Sequence, residues 1–408
     1  MLRRNHVFHS LEGGFFAGGL QFLAAESVLP AMMVVLAAPV WIVASMPVLM
    51  ILGLNLPSLF TAHWVERMQR IRGAVMVAGF VQRLPFVLGA LALYFLWPTH
   101  PRIAVAIAAA SPLVSGLAGG ITYIAWLEYI ARTIDLRRVS SMFARRYLLS
   151  STIGLIAGPV IVGILDRWPD HRGYALLYAI TAVFLWISYT FFIGIREPEH
   201  QTTASRPQTS LRDNLRSLPA LWRSDGKLRS FVGMRVFQAG VLVMTPFLAA
   251  HALNVTGKPK GFVGLFVTSQ TLGAILGNLL GHQLGDRRGG WSVTRLSVWF
   301  FFASSLLVVF ADSMSAFMLV FALYGVATAV SQVGRSALQL EVFPAARRPT
   351  CLAVDATINA LTLFCVIGVS TLLNKFFPDT IVPPALVALV CVLGSLIPLR
   401  KLRFASLY

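Results

Sequence analysis

Among the ionisable residues inside long apolar runs, where a charge is costly and points to a function, five stand out. They are Glu12, Glu26, Arg83, Arg235 and Arg335. A carboxylate buried there can carry a proton. Glu26, roughly 15 residues into the first run, is the stronger candidate for proton coupling, and Glu12, nearer the chain start, the weaker. At about 100° per helical residue, Glu12, Gly19 and Glu26 fall within about 40° of one another. Arg235 and Arg335 suit another task. A guanidinium stays charged and offers forked donors, so either could hold an anionic group or pair with Glu128 or Glu341. Arg83, in "VQRLPF", must turn toward a carboxylate or toward carbonyls freed beside Pro85, in a structural, gating or substrate role.

Milder polar residues line up with these charges at helical spacing. Ser111, Ser115 and Thr122 share one face, and Gln238 follows Arg235 by one turn. The longest stripe runs through Tyr324, Thr328, Ser331, Arg335 and Gln339. A polar stripe on an apolar helix must face protein or a water-filled cavity, so these residues are the substrate-cavity candidates. Glycines recur every fourth residue at Gly273, Gly277, Gly281 and Gly285, a ladder for close helix approach, expected at an interface between the two halves of the chain.

The elements that must position these residues follow from composition. Of 408 residues, 57% are hydrophobic and 12% charged, about half the charged share of a soluble domain. Twelve apolar runs can cross a hydrocarbon core of ~30 Å, near 10–35, 38–62, 74–97, 102–130, 146–165, 173–195, 230–253, 260–283, 292–311, 314–339, 351–373 and 381–399. Without water to satisfy the backbone they must be helices, so the fold class is an all-α polytopic membrane protein. The net charge of +18 follows from topology. Six of the 34 Lys and Arg (Arg102, Arg167, Arg172, Lys258, Lys260, Lys375) fall in one set of loops and three within spans; the rest fall in the other set. That is a positive-inside bias with both termini cytoplasmic. It accounts for the basic balance without a nucleic-acid partner. The runs nearest 173–195, 292–311 and 381–399 lack charge at their cores and are expected to face lipid.

Residues 196–228 form the one long polar segment and divide the chain into six spans (1–195) and six spans (229–408). Leu211, Leu215, Leu218 and Trp222, with Arg212, Arg216 and Arg223 between them, fit either a short amphipathic surface helix or a plain linker. The two parts read as repeats. A charged hinge follows the second span of each, "AHWVERMQRIRG" at 62–73 and "GHQLGDRRGG" at 281–290. After the fourth span of each, "DLRRVSSMFARRYL" parallels "PAARRPTCLAVDAT". Such duplication is the mark of transporters that rock one bundle against another.

On these hinges the chain resembles the major facilitator superfamily, whose pattern between the second and third helices is Gly-x-x-x-Asp-Arg-x-Gly-Arg/Lys. Asp286, Arg287 and Gly289 match in the second copy, with Gly290 at the final basic position. In the first copy Glu66 stands for Asp, Arg67 and Arg70 match, and Gln69 replaces Gly. Gly154, Gly158 and Pro159 resemble the core of a motif of proton-driven antiporters of that superfamily, although Arg145 occupies the upstream glycine position. The resemblance implies two pseudo-symmetric six-helix bundles, with the first, fourth, seventh and tenth helices around a central cavity. Superposing the double arginines sets Arg145 opposite Asp355, so Asp286 is expected to meet Arg145 and Arg146 while Arg67 and Arg70 meet Asp355, a latch on the inner gate.

The expected function is secondary transport by alternating access, with export of a small lipophilic or amphipathic compound against protons. The alternatives are uptake or exchange of an organic anion or nutrient, and a non-transporting receptor or assembly factor on the same fold. The partners expected are a small-molecule substrate, the lipid bilayer and protons, with the protein a monomer in a bacterial inner membrane. No enzyme is expected: the eight histidines are scattered, no GxSxG or Walker sequence occurs, and no cofactor or metal site is indicated. Cys351, Cys365 and Cys391 form no CxxC pair and read as small packing residues.

Overall fold

The computed structural model describes residues 2–57, 71–134, 139–197, 222–223, 225–343, 348–378 and 380–403. These residues are helical apart from turns and short connections, with no strand among them. Eleven helices are long and apolar enough to cross a membrane: Arg3–Val35, Arg72–Leu96, Pro101–Tyr123, Arg145–Arg167, His171–Ile193, Gly226–Thr256, Lys260–Gly285, Arg287–Phe310, Met314–Gln339, Val354–Phe376 and Val382–Arg400. A shorter apolar helix, Val40–Asn55, takes the second place, and below the twelve are called spans one to twelve in chain order. The chain is an integral membrane protein, and each apolar run of the sequence coincides with one of these helices.

Two compact units interleave along the chain. One comprises Met1–Leu23, Leu49–Gly154 and Asp170–Ser217; the other comprises Ala24–Val48, Leu155–Pro169 and Leu218–Tyr408. In the first unit, span one packs on span six, and span three packs on spans four and six. In the second, span seven packs on spans eleven and twelve, and spans eight and nine pack on span ten. The pairings one with six and seven with twelve, like three with four and nine with ten, repeat one scheme.

Glycines set how closely these helices approach. A Cβ at Gly53 would stand 2.6 Å from the Leu113 carbonyl oxygen, and one at Gly120 would stand 2.6 Å from the Leu54 carbonyl oxygen, so spans two and four meet backbone to backbone. In span one, Gly13, Gly14 and Gly18 lie under Arg146, Leu149 and Ile153 of span five. The ladder of span eight packs on span ten: Gly273 against Ala322, Gly277 against Val326 and Ala329, Gly281 against Val333. That corrects the expectation of an interface between the two halves of the sequence. Ladder and partner both belong to the second half, because the small faces of spans eight and ten fit one another.

Spans one and seven are both interrupted. Span one leaves α-helical geometry at Leu20–Leu23 and resumes at Val28; span seven tightens at Gly240–Val243 and resumes at Thr245. Interrupted helices expose backbone polar groups that a continuous helix would hide, and in transporters they mark the helices around the transport path. Spans eight and nine run on through a break at Gly289, where φ is 71° and ψ 175°. That conformation is essentially restricted to glycine. The Gly290 amide just beyond donates to the Glu341 carboxylate at 2.8 Å, which caps the start of span nine.

Candidate functional site

Arg83 is the largest fully buried side chain, 1% exposed, in the interior of span three. Its position is tolerable because each of its three nitrogens donates a hydrogen bond. Nε donates to the Leu185 carbonyl at 2.7 Å, Nη1 to the Gly79 carbonyl at 2.6 Å, and Nη2 to Ser188 Oγ at 2.8 Å. Nη2 also lies 3.6 Å from Glu12 Oε1. Phe16, Tyr189 and Phe192 surround the guanidinium with ring faces, the nearest centroid at 5.1 Å. The carboxylate expected from sequence is present, but the carbonyls are those of Gly79 and Leu185, not the one freed by Pro85.

Glu12 is the meeting point. Its other oxygen accepts from Arg146 Nη1 of span five at 3.2 Å, and Arg146 rests on the Trp126 ring at 5.1 Å. Arg146 lies directly over Gly13, where any side chain would displace it. A cavity of about 170 Å³ opens here, lined by Glu12, Arg83, Arg146, Gln82, Thr122 and Trp126 among others. Gln82 and Trp126 were not singled out from the sequence. The neighbour of a buried arginine and an aromatic at a helix end were the only available signals.

A second buried pair has the opposite polarity. Arg235 of span seven donates to Asp355 of span eleven, whose Oδ2 also accepts from Gln339 Nε2 at 3.3 Å. Asp355 is 3% exposed, and its Oδ1 finds no partner among the described residues; nor does Gln238 Nε2. The two pairs correspond. Glu12 stands nine residues past Arg3 and Arg235 nine past Gly226, while Arg146 and Asp355 each stand one residue past the starts of spans five and eleven. The carboxylate is on the first helix of one repeat and on the fifth helix of the other.

Most of the expected latch lies outside the described residues. Asp355 is held by Arg235 and Arg146 by Glu12, each within its own repeat, whereas Arg145 is exposed. Glu66, Arg67 and Arg70 lie outside the described residues, as does the Asp286 side chain; Arg287 is exposed. Arg235 pairs with Asp355 and Glu341 accepts from the Gly290 amide, while the Glu128 side chain is outside the described residues.

In the second unit Glu26 accepts from Gln270 Nε2 of span eight at 2.6 Å, with Tyr324 of span ten beside it. No cation pairs with it among the described residues. The same region holds the small residues of span five. Gly158 is buried against Gly264 and Thr268 of span eight, Gly154 is buried nearby, and Pro159 is exposed. Gly261 approaches Asp166 Oδ1, at 2.5 Å from its Cβ position. The end of span one, Val28–Val35, also packs on Thr245–Thr256 of span seven. Spans one and five therefore join spans seven, eight and ten here through two glycines and one carboxylate held by a neutral donor.

The remaining cavity candidates divide. Ser111 donates to the Pro85 carbonyl at 2.8 Å and is 1% exposed, so it ties spans three and four together and does not face a cavity. Ser115 Oγ is buried without a partner among the described residues. Thr328, Ser331 and Arg335 are half-buried on one side of span ten, with Thr328 Oγ1 donating back to Gly325 at 3.0 Å. Among the described residues no cluster of His, Cys, Asp and Glu could hold a metal.

No protein-family model and no curated protein matches the sequence. Solved structures do. A D-xylose-proton symporter superposes with a TM-score of 0.71 at 14% identity, covering 96% of both chains. A bacterial homologue of the iron transporter ferroportin, in an inward-facing state, gives 0.67 at 14% identity over 99% of both. The nucleoside transporter NupG gives 0.61 at 13% identity, over 99% of this chain and 98% of that one. At such identities the likeness establishes architecture alone: the chain has the twelve-span, two-repeat fold of major facilitator-type transporters.

Proposed function

We propose that the protein is a secondary transporter that moves a small solute by alternating access, coupled to protons at Glu26. One observation carries this reading. Among the described residues, Glu26 of span one is held by one neutral donor, Gln270 of span eight, with Tyr324 of span ten beside it and no cation paired to it. Such a contact can open when the carboxylate gains or loses a proton, without leaving an unpaired cation behind. The neighbouring glycines Gly158 and Gly264 allow close seating without side-chain interlocking. Interrupted spans one and seven supply the bending positions. By the positive-inside bias, this contact faces away from the cytoplasm.

Export of a lipophilic or amphipathic compound against protons is the second reading, favoured by the match at Gly154, Gly158 and Pro159. Close packing on span eight already accounts for Gly158, so the motif favours export less than its sequence suggests. The buried charges of the first unit favour uptake or exchange of a polar solute.

The test uses purified protein in proteoliposomes with an imposed pH gradient and a panel of labelled small metabolites and lipophilic dyes. Gradient-driven movement of at least one solute, abolished by a protonophore, is expected. Glu26→Gln should lose gradient dependence while retaining solute exchange. Intact gradient-driven transport in Glu26→Gln would remove the coupling role. No movement of any solute, with a protein partner stably co-purifying, would favour the receptor reading.

A further inference from the structure

The cavity of the first unit contains two guanidinium groups and one carboxylate. Among the described residues, Arg83, Arg146 and Glu12 are its only ionisable lining residues of ordinary charge at neutral pH, a surplus of one positive charge. Arg83 spends its donors on two carbonyls and a hydroxyl, all neutral, so its charge is balanced only by the Glu12 oxygen at 3.6 Å. Arg146 engages the other Glu12 oxygen through a single nitrogen. Among the described residues, one carboxylate is thus shared between a buried cation and a half-buried one. An unbalanced cation in a low-dielectric interior is costly, and bringing in an anion relieves that cost. The volume, about 170 Å³, is below the ~300 Å³ at which pockets for drug-sized ligands begin. Phe16, Tyr123 and Trp126 give the remaining wall an aromatic character.

We infer that this cavity binds a small organic monocarboxylate, whose carboxylate takes the donor fork of Arg146 in exchange for Glu12. A monoanion makes the set neutral, two positive against two negative; a neutral solute leaves the surplus and a dianion reverses it. Glu12 acts as a stand-in that keeps Arg146 paired while the cavity is empty, and the Arg146 fork suits a carboxylate. Gly13 is the positioning residue, because its missing side chain makes room for Arg146. The inference names a cargo class for the transporter proposed above and rests on that reading for the cargo's passage, whereas binding can be measured without flux.

The experiment is calorimetric titration of acetate, benzoate, the neutral analogue benzamide and the dianion phthalate into purified protein. Wild type should bind benzoate saturably and benzamide at least tenfold more weakly. Glu12→Gln removes the competitor and should tighten benzoate about tenfold; Arg146→Gln should weaken it about tenfold. A set of charges that only holds helices together would not tighten binding when Glu12 is neutralised, so the opposite signs decide the matter. Should Arg146→Gln fail to fold, Arg146→Lys keeps the charge but loses the fork and should also weaken binding. Absence of acetate and benzoate binding in both wild type and Glu12→Gln overturns the inference, as does equal binding of benzamide. Flux of other solutes without monocarboxylate binding would spare the transporter reading. The binding pattern without flux of any solute would spare the site and remove that reading.

Discussion

Removing either partner of the Arg235–Asp355 pair should destabilise the protein unequally, and the order follows from exposure. Arg235→Ala leaves Asp355, whose side chain is 4% exposed and whose Oδ1 already has no partner among the described residues. A single hydrogen bond from Gln339 at 3.3 Å then supports the charge. Stranding one member of a buried pair costs about 3–5 kcal/mol, and this substitution should approach that range. Asp355→Ala leaves Arg235, 15% exposed on a long flexible stem that can reach water. A cost of about 2–3 kcal/mol is expected, because part of the desolvation penalty is avoided. The double variant strands nothing and should cost only about 1–2 kcal/mol, since buried pairs contribute little net stability over neutral replacements. The coupling energy should therefore be at least about 3 kcal/mol. In membrane proteins the unfolded chain also finds polar partners, which lowers such values, so ~2 kcal/mol is the floor expected. Equilibrium unfolding in mixed micelles, run as a double-mutant cycle, measures it. Additive single variants, or a larger loss for Asp355→Ala than for Arg235→Ala, would refute the reasoning.

Four other outcomes are expected. Gly289→Ala should lower stability by about 1–3 kcal/mol in the same unfolding assay, because φ of 71° with ψ of 175° is open almost only to glycine. Gly285→Ala, with ordinary contact to Val293 at 3.6 Å, should be near neutral. Gly277→Leu should prevent spans eight and ten from seating, since even a Cβ would lie 2.6 Å from the Val326 carbonyl oxygen; a monodisperse protein of wild-type melting temperature would contradict that. Arg83→Lys should melt lower than wild type by several degrees, because an ammonium cannot reach Gly79, Leu185 and Ser188 together in the planar geometry of the guanidinium.

Span positions were legible in the sequence because hydropathy alone dictates them. A run of about 20 apolar residues has one favourable arrangement in a bilayer. The polar stripe of span ten stands out in the sequence for the same reason, and Tyr324 within it lies beside Glu26. Which charge meets which was not legible. Glu12 and Arg146 are 134 residues apart, and the hinge match suggested partners by analogy of position, not by depth in the helix. Counting residues from each span start gives the correct pairing, nine and one in both repeats. The Gly273–Gly277–Gly281 ladder shows the same limit: spacing revealed that a helix comes close, but not which helix. Gln270, alone in a stretch of small and apolar residues, gave no sign that it would hold Glu26.

Alternating access is tested most directly at the contact that Glu26 controls. Spin labels on Arg167→Cys at the end of span five and Lys260→Cys at the start of span eight, both exposed, flank the approach of Gly261 to Asp166. Cys351, Cys365 and Cys391 would first be replaced by alanine. Pulsed electron–electron distance measurements in liposomes should give two populations, one short as in the structure and one longer. Their ratio should change between pH 5 and pH 8 and become fixed in Glu26→Gln. A single short distance at every pH and with every solute would contradict transport by alternating access.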